Sequence, residues 1–520
     1  MKLSKSVISV IIAAGVLLVL GAVMMILMLT APEDEGESGS SGLSSVNSEE
    51  QTIDITNQHT DSVLKLTVNN ENGVFTFERQ KRVVSSTDSD GKVTSSDEFY
   101  WTSDDLKGVP QSDSIVRNLM NNLSALPARS VVEENAEDLG KYGLASPLAT
   151  AEVSFEDGSV VKLNFGIQNP ANTSTAYCCT EGSNKVYLVN YYSVSGAYSS
   201  VNRYANLVMT DVYNTDGSNE LDYLRIQRKD LDEEVEIRFM FDVAEEAEKE
   251  DSIISTFNTH RFIKPMTAEI DVTTGKSVCN AMYGLTMSSC VYLEQTEENM
   301  KACGLDDPFL RMTFKYGGKI HTLLLGSEIV EETGESGTSS APTLANVTGY
   351  YAVLEGVPGI YSLAKESAPW YTFNVSDIIS KRPISPYIYT VESITITTPD
   401  GEFKFDIDGE NKKFYHGSDE VSGSEFRKLY QQLISSIGEE MYTEQTDKAP
   451  EVTVKFRYLS KYVDTYGTEE DVLEFIPDDG RKYIINLNGR TVFKIREIFI
   501  SRLTENVNSL LNGGTVNYDW

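Results

Sequence analysis

Beyond residue 60 the chain alternates apolar and polar positions in short runs separated by turn residues. Leu64, Leu66 and Val68 alternate with Lys65 and Thr67, Asn72-Gly73 supplies a turn, and Val74 to Phe77 returns, as a half-buried hairpin requires. Leu224 and Ile226, followed by Val235, Ile237, Phe239 and Phe241, predict a second hairpin. Ile394 and Ile396, turned by Pro399-Asp400-Gly401 into Phe403, Phe405 and Ile407, predict a third. A helical period follows each hairpin. Asp113 is placed to cap a helix with Ile115, Val116, Leu119, Met120 and Leu123 on one face. Phe426, Leu429, Tyr430, Leu433, Ile434 and Ile437 form the equivalent face before Gly438, and a weaker helix spans Val278 to Leu285.

These elements recur as a repeat. Lys141-Tyr142-Gly143-Leu144-Ala145-Ser146-Pro147 leads into the apolar run Ala151 to Phe155, then Asp157-Gly158, then a run ending at Gly166. Ala302-Cys303-Gly304-Leu305-Asp306-Asp307-Pro308 leads likewise through Phe314 and Gly317-Gly318 to Gly326, at an offset of 161 for Gly-Leu and Pro. Upstream, Val116, Asn118, Met120 and Leu123 match Val278, Asn280, Met282 and Leu285 at an offset of 162. Downstream, Tyr177 and Lys185-Val186-Tyr187 match Tyr351 and Gly359-Ile360-Tyr361 at 174. The added residues fall in Glu331 to Ala345, a polar stretch that reads as a surface insertion. The third unit lacks the Gly-Leu-x-x-Pro element, although Val452, Val454 and Phe456 and then Tyr483 to Leu487 still read as strands. It reads as a degenerate terminal copy.

One segment differs from all this. Val7 to Leu29 is 23 residues without a charge, about 35 Å of helix and enough to cross a hydrocarbon core of about 30 Å. Lys2 and Lys5 precede it while Glu33, Asp34, Glu35 and Glu37 follow, so the positive-inside bias sets the N-terminus in the cytoplasm and the rest outside. A cleaved signal peptide is the competing reading; its apolar region would be about 7–15 residues, and Leu29-Thr30-Ala31 is followed by Pro32. Glu33 to Glu50 holds six acidic residues, six Ser and three Gly and reads as a flexible tether. The expected fold class is α+β: an N-terminal transmembrane helix followed by tandem repeats of antiparallel sheet plus amphipathic helix. The expected divisions are 1–30 for cytoplasmic tip and anchor, 31–60 for the linker, 61–212 and 213–390 for two repeat units, and 391–520 for a divergent third.

Charge removes one class of partner. The 520 residues carry 44 Lys plus Arg against 78 Asp plus Glu, a net charge of −34, which repels nucleic acid. Cys178, Cys179, Cys279, Cys290 and Cys303 are odd in number and contain no CxxC, so no disulfide framework is expected. Cys178 and Cys179 align with Ala352 and Val353, which marks them as core-type thiols. His59, His260, His321 and His416 are scattered outside metal-ligand spacing and read as structural or solvated. Thr274-Gly275-Lys276-Ser277 resembles the end of a phosphate loop, but Ile270 stands where its first Gly belongs. Ser362-Leu363-Ala364-Lys365 fits the Ser-x-x-Lys pattern of exported acyl-transfer enzymes without the companion Lys-Thr-Gly. Asp88-Ser89-Asp90-Gly91 and Asp406-Ile407-Asp408-Gly409 lack the full calcium-loop run and read as hairpin turns. No catalytic, cofactor-binding or metal-binding residue is assigned, and no cofactor is expected.

The anchor, the YGLxxP-like element at Tyr142 to Pro147 and Cys303 to Pro308, the Phe-x-x-Gly strands behind it and the Lys185-Val186-Tyr187 strand together resemble the bacterial family known as domain of unknown function 4340. The resemblance covers most of residues 61 to 380, with 391 to 513 as an extension. It implies an accessory extracytoplasmic role, since members are often associated with ABC transport systems of the gliding-motility auxiliary kind, and it implies no catalytic residues. The leading expectation is a single-pass cell-membrane protein whose exported part acts as a non-catalytic interaction protein. Its expected partners are the membrane and an ABC transporter permease or another envelope protein. An exported envelope-polymer hydrolase and a surface or wall adhesion protein are the alternatives.

Overall fold

In the computed structural model, residues 53–87, 93–240, 260–271, 273–331, 346–442 and 444–519 are described. The expected span Val7 to Leu29, the tether Glu33 to Glu50, the turn at Asp88 to Gly91 and most of the insertion, residues 332–345, lie outside them. Among the described residues no helix is long and apolar enough to cross a membrane.

The described chain is α+β and dominated by antiparallel sheet. Three large sheets follow one another in sequence, of eight, nine and nine strands. In chain order the first consists of Val63–Asn70, Gly73–Thr87, Val93–Thr102, Ser130–Glu133, Ala149–Phe155, Val160–Asn169, Asn172–Thr180 and Val186–Asn190. Read across the sheet, the order is third, second, first, fifth, sixth, seventh, eighth, fourth. The second sheet (Leu221–Arg228 through Ile360–Ala364) and the third (Val391–Thr398 through Arg490–Arg496) have the same order. Each adds a short strand outside the third one, Ala268–Glu269 and Asp419–Glu420 respectively. A fourth, two-stranded sheet pairs Ile53–Asp54 with Pro127–Ala128.

In every large sheet a helix separates the third strand from the fourth: Asp113–Ser124, Thr274–Asn280 and Gly423–Ile434. The first buries Val116, Leu119, Met120 and Leu123 on the sheet, so the 3.6-residue period predicted both the element and its buried face. The third buries Phe426, Leu429, Tyr430 and Leu433, and a C-terminal helix, Glu497–Leu511, packs beside it with Asn506 donating to Gln432 at 2.8 Å. The first sheet has its own core, whereas one continuous apolar cluster runs through the second and third.

Five expectations are corrected. Ser112, not Asp113, is the extended residue before the first helix; Asp113 is its first helical residue. Leu64 is 41% exposed rather than part of the core face, because a β-bulge between Val63 and Lys65 reverses the alternation. The same bulge recurs at Leu221/Tyr223 and at Val391/Ser393, so it belongs to the common sheet pattern. The second helix ends at Asn280, and Met282 and Leu285 are buried from the turn that follows. The third ends at Ile434, leaving Ile437 exposed. Gly438 is instead a close-approach glycine, where a Cβ would stand 2.4 Å from the Phe493 ring. The third unit is degenerate only in its motif: its sheet is complete.

The recurring Gly-Leu element is a Schellman turn followed by a staple. Gly143 N–H donates to Gly140 O and Leu144 N–H to Leu139 O, each at 3.0 Å; Gly304 and Leu305 repeat this on Lys301 and Met300. Gly143 and Gly304 sit at φ +70° and +64°, a conformation costly for any residue with a Cβ. The turn rides directly over the sixth strand. A Cβ on Gly166 would stand 2.0 Å from Tyr142 O, and one on Gly326 would stand 2.2 Å from Cys303 O. Leu144 and Leu305 then fill small clusters separate from the main cores, with Tyr142, Cys179 and Val186 in one and Cys303, Leu324, Val353 and Ile360 in the other.

Candidate interaction cleft

The residues singled out by their chemistry stand apart from one another in the fold. Ser362 lies in the strand Ile360–Ala364 and shares a 2.7 Å hydroxyl hydrogen bond with Ser289, while Lys365 opens the following 3-10 turn. Among the described residues no hydrogen bond joins that Ser to that Lys. Thr274 to Ser277 form the first turn of the short second helix, and Asp271 caps it by accepting from the Thr273 and Thr274 amides at 2.9 Å. Asp406 and Asp408 lie in the strand Gly401–Asp408, and the turn that follows leads into Lys413–His416. All five cysteines are buried and free, and burial raises each thiol above its usual range, Cys290 to about 11 and Cys279 to about 12. Burial lowers His260 to about 4, so it is neutral at physiological pH even with the Glu220 carboxylate 3.9 Å away. His321 stacks on Phe314 and Tyr316.

Buried charge is concentrated between the second and third sheets. Arg261, Glu269 and Asp471 are all fully buried. The Arg261 guanidinium donates to Asp471 and lies 3.5 Å from Glu269. Thr267 Oγ1 and Asn488 Nδ2 donate to Asp471 Oδ1 at 2.7 and 2.8 Å, and Tyr458 O–H donates to Oδ2, the oxygen that also accepts from Arg261. Burial alone would pull the Arg261 pKa down, but the charges of Asp471 and Glu269 and the hydrogen bond to Asp471 outweigh it and hold it above its ordinary value. Such a cluster, sealed from solvent, acts as a clamp between sheets.

The open recess lies elsewhere, where the first sheet's helices meet the fourth strand of the second sheet. A cleft of about 680 Å3 is walled by Ile115, Asn118 and Asn122 of the first helix, by Tyr192 and Ser193, by Arg203, and by Ser288 to Cys290. Helical spacing sets Ile115, Asn118 and Asn122 on one face. Its floor is closed by contact: a Cβ on Gly196 would stand 2.6 Å from the Tyr204 hydroxyl, which donates to Gly196 O at 3.0 Å. Asn202 Nδ2 donates to Cys290 O at 3.3 Å and Val291 O at 2.9 Å and ties the two walls together. Tyr192 is 73% exposed at the rim.

The lining is distinctive in so acidic a chain. No carboxylate is among the residues that line the cleft, and Arg203 is their one charged side chain. Amide and hydroxyl groups, an aromatic face and a guanidinium can hold a neutral or anionic polar surface, and they supply no acid–base pair. Sequence reasoning missed this site because its walls come from segments about 70 residues apart or more; Asn118 and Asn122, four residues apart on a helix, were the signal that could have pointed to it.

Residues 101–251 match the family model described as Domain of unknown function (DUF4340). The matched segment includes the helix Asp113–Ser124 and the walls contributed by Tyr192 and Arg203. No curated protein matches the chain, and no solved structure matches it.

Proposed function

We propose that this chain is a membrane-anchored, extracytoplasmic interaction protein, built of tandem copies of one sheet-and-helix unit, that holds a partner of the cell envelope such as the permease of an ABC transport system. The anchor is the uncharged segment Val7 to Leu29, with lysines before it and carboxylates after it. The tandem reading is supported by the identical strand order of the three sheets, the shared bulge and the duplicated Gly-Leu staple.

The observation that carries the functional reading is the cleft's lining: amide, hydroxyl and tyrosine groups around Arg203, without a carboxylate, in a chain of net charge −34. A recess of that kind suits recognition of an uncharged or anionic partner segment and offers no nucleophile with a base beside it. The test is complementation of a chromosomal deletion. Tyr192→Ala combined with Arg203→Glu is expected to abolish complementation at normal protein level, because the first removes the rim contact and the second adds repulsion. Ser362→Ala and Lys365→Ala are expected to complement fully. Loss of function in Ser362→Ala, with the cleft variant active, would replace this reading with the hydrolase.

A further inference from the structure

The first sheet carries a two-stranded projection longer than any in the described parts of the other two. Its second strand, Gly73–Thr87, pairs with the first strand only over Gly73 to Glu78; from Arg79 onward it pairs only with Val93–Thr102 among the described residues. The result is a two-stranded arm extending about 25 Å past the sheet. Val93–Thr102 is also the outermost strand, whereas the other two sheets each set a short strand outside the corresponding position.

The direction of the arm's free backbone groups is fixed by its neighbours. Gln111 donates to Trp101 O and Arg117 donates to Phe99 O, so these residues point away from the partner strand. By alternation Val93, Ser95 and Asp97 point outward too, and these have no such cover among the described residues. Native sheets blunt edges of this kind, and a two-stranded ribbon without a third strand is marginal in water. Side-chain character points the same way. Val83 and Val93 are 69% and 63% exposed, and from Val83 to Thr87 and Val93 to Ser96 the ribbon carries no charge.

We infer that Val93 to Asp97 is the site at which a second copy of this chain adds its own Val93–Asp97 strand, antiparallel, about a two-fold axis through Ser95. That register makes about six backbone hydrogen bonds. It sets Asp97, ion-paired with Lys81 at 2.7 Å, opposite Val93 of the other copy, so no like charges meet. The chain as a whole carries a net charge of −34, which disfavours approach through its acidic surface elsewhere. The arm extends beyond the screening distance of about 8 Å at physiological salt, so two tips can join while the acidic bodies stay apart. This dimer is independent of what the cleft holds.

The test uses the full chain. Ser95→Cys in the native membrane is expected to give an oxidised homodimer at twice the monomer mass, since the five native thiols are buried. Ser95→Pro removes an outward N–H and leaves the arm's own ladder intact; it is expected to weaken dimerisation measured by sedimentation about tenfold or more with an unchanged melting midpoint. Ser96→Pro, which removes an inward N–H, is expected to lower that midpoint and so reports damage to the arm itself. A parent chain that stays monomeric at micromolar concentration, a dimer that Ser95→Pro leaves intact, or a Ser95→Cys crosslink made only to other proteins overturns the inference.

Discussion

Arg261→Met is expected to destabilise the second and third sheets by about 3–5 kcal/mol, the range for removing one partner of a buried ion pair. In the native fold its guanidinium donates to Asp471 and lies 3.5 Å from Glu269, with all three side chains fully buried. Without it, two carboxylates must either take up protons or stay charged away from water. Asp471→Leu is expected to be comparably harmful for the converse reason: it strands the guanidinium beside a single carboxylate and leaves the Thr267, Asn488 and Tyr458 donors without their acceptor. The clamp joins residues 210 positions apart, so its loss removes the polar tie between two sheets that the shared apolar cluster still joins. Thermal unfolding should begin about 10 °C lower. A midpoint within 2 °C of the parent's would show that the cluster contributes nothing net, as some buried pairs do against apolar replacements.

Leu305→Asp is expected to be the other severe change, at several kcal/mol, because it drives an unpaired carboxylate into the cluster of Cys303, Leu324, Val353 and Ile360. Leu305→Met keeps the volume and should cost less than about 1.5 kcal/mol. Gly326→Ala probes the same staple from beneath. Its Cβ would fall 2.2 Å from Cys303 O, so the turn must lift off the strand and Leu305 must leave its pocket. Gly166→Ala and Leu144→Asp should reproduce both results in the first sheet, where the Cβ would meet Tyr142 O at 2.0 Å. Urea unfolding read by tyrosine and tryptophan fluorescence checks the series. Alanine tolerated at both glycines would refute the staple.

The sequence made some parts of this fold legible and hid others, for physical reasons. Hairpins and helices were visible because a two-residue or 3.6-residue period is written in adjacent positions, as at Ile394/Ile396 and at Phe426/Leu429/Leu433. The Gly-Leu repeat was visible because a left-handed turn over a close strand demands Gly at two separated positions. The bulge at Leu64 was not, since one extra residue reverses the alternation without changing composition. Absence of the Gly-Leu element made the third unit look degenerate, yet that element fills a small cluster separate from the main core, and the nine-stranded sheet forms without it. Arg261 and Asp471, like the two walls of the cleft, meet only through the tertiary fold, and a single sequence carries no local sign of such meetings.

The cleft beside Tyr192 is proposed to hold another protein of the envelope. The most direct test is a photo-activatable residue at Tyr192 or Asn118 in the full chain, irradiated in the native membrane. A crosslink to one multi-span protein is expected, suppressed by Arg203→Glu and absent when the label is moved to Val160, an exposed strand end outside the cleft's lining. Equal labelling from Val160, or no protein adduct from either cleft position in cells where the chain is functional, would contradict it.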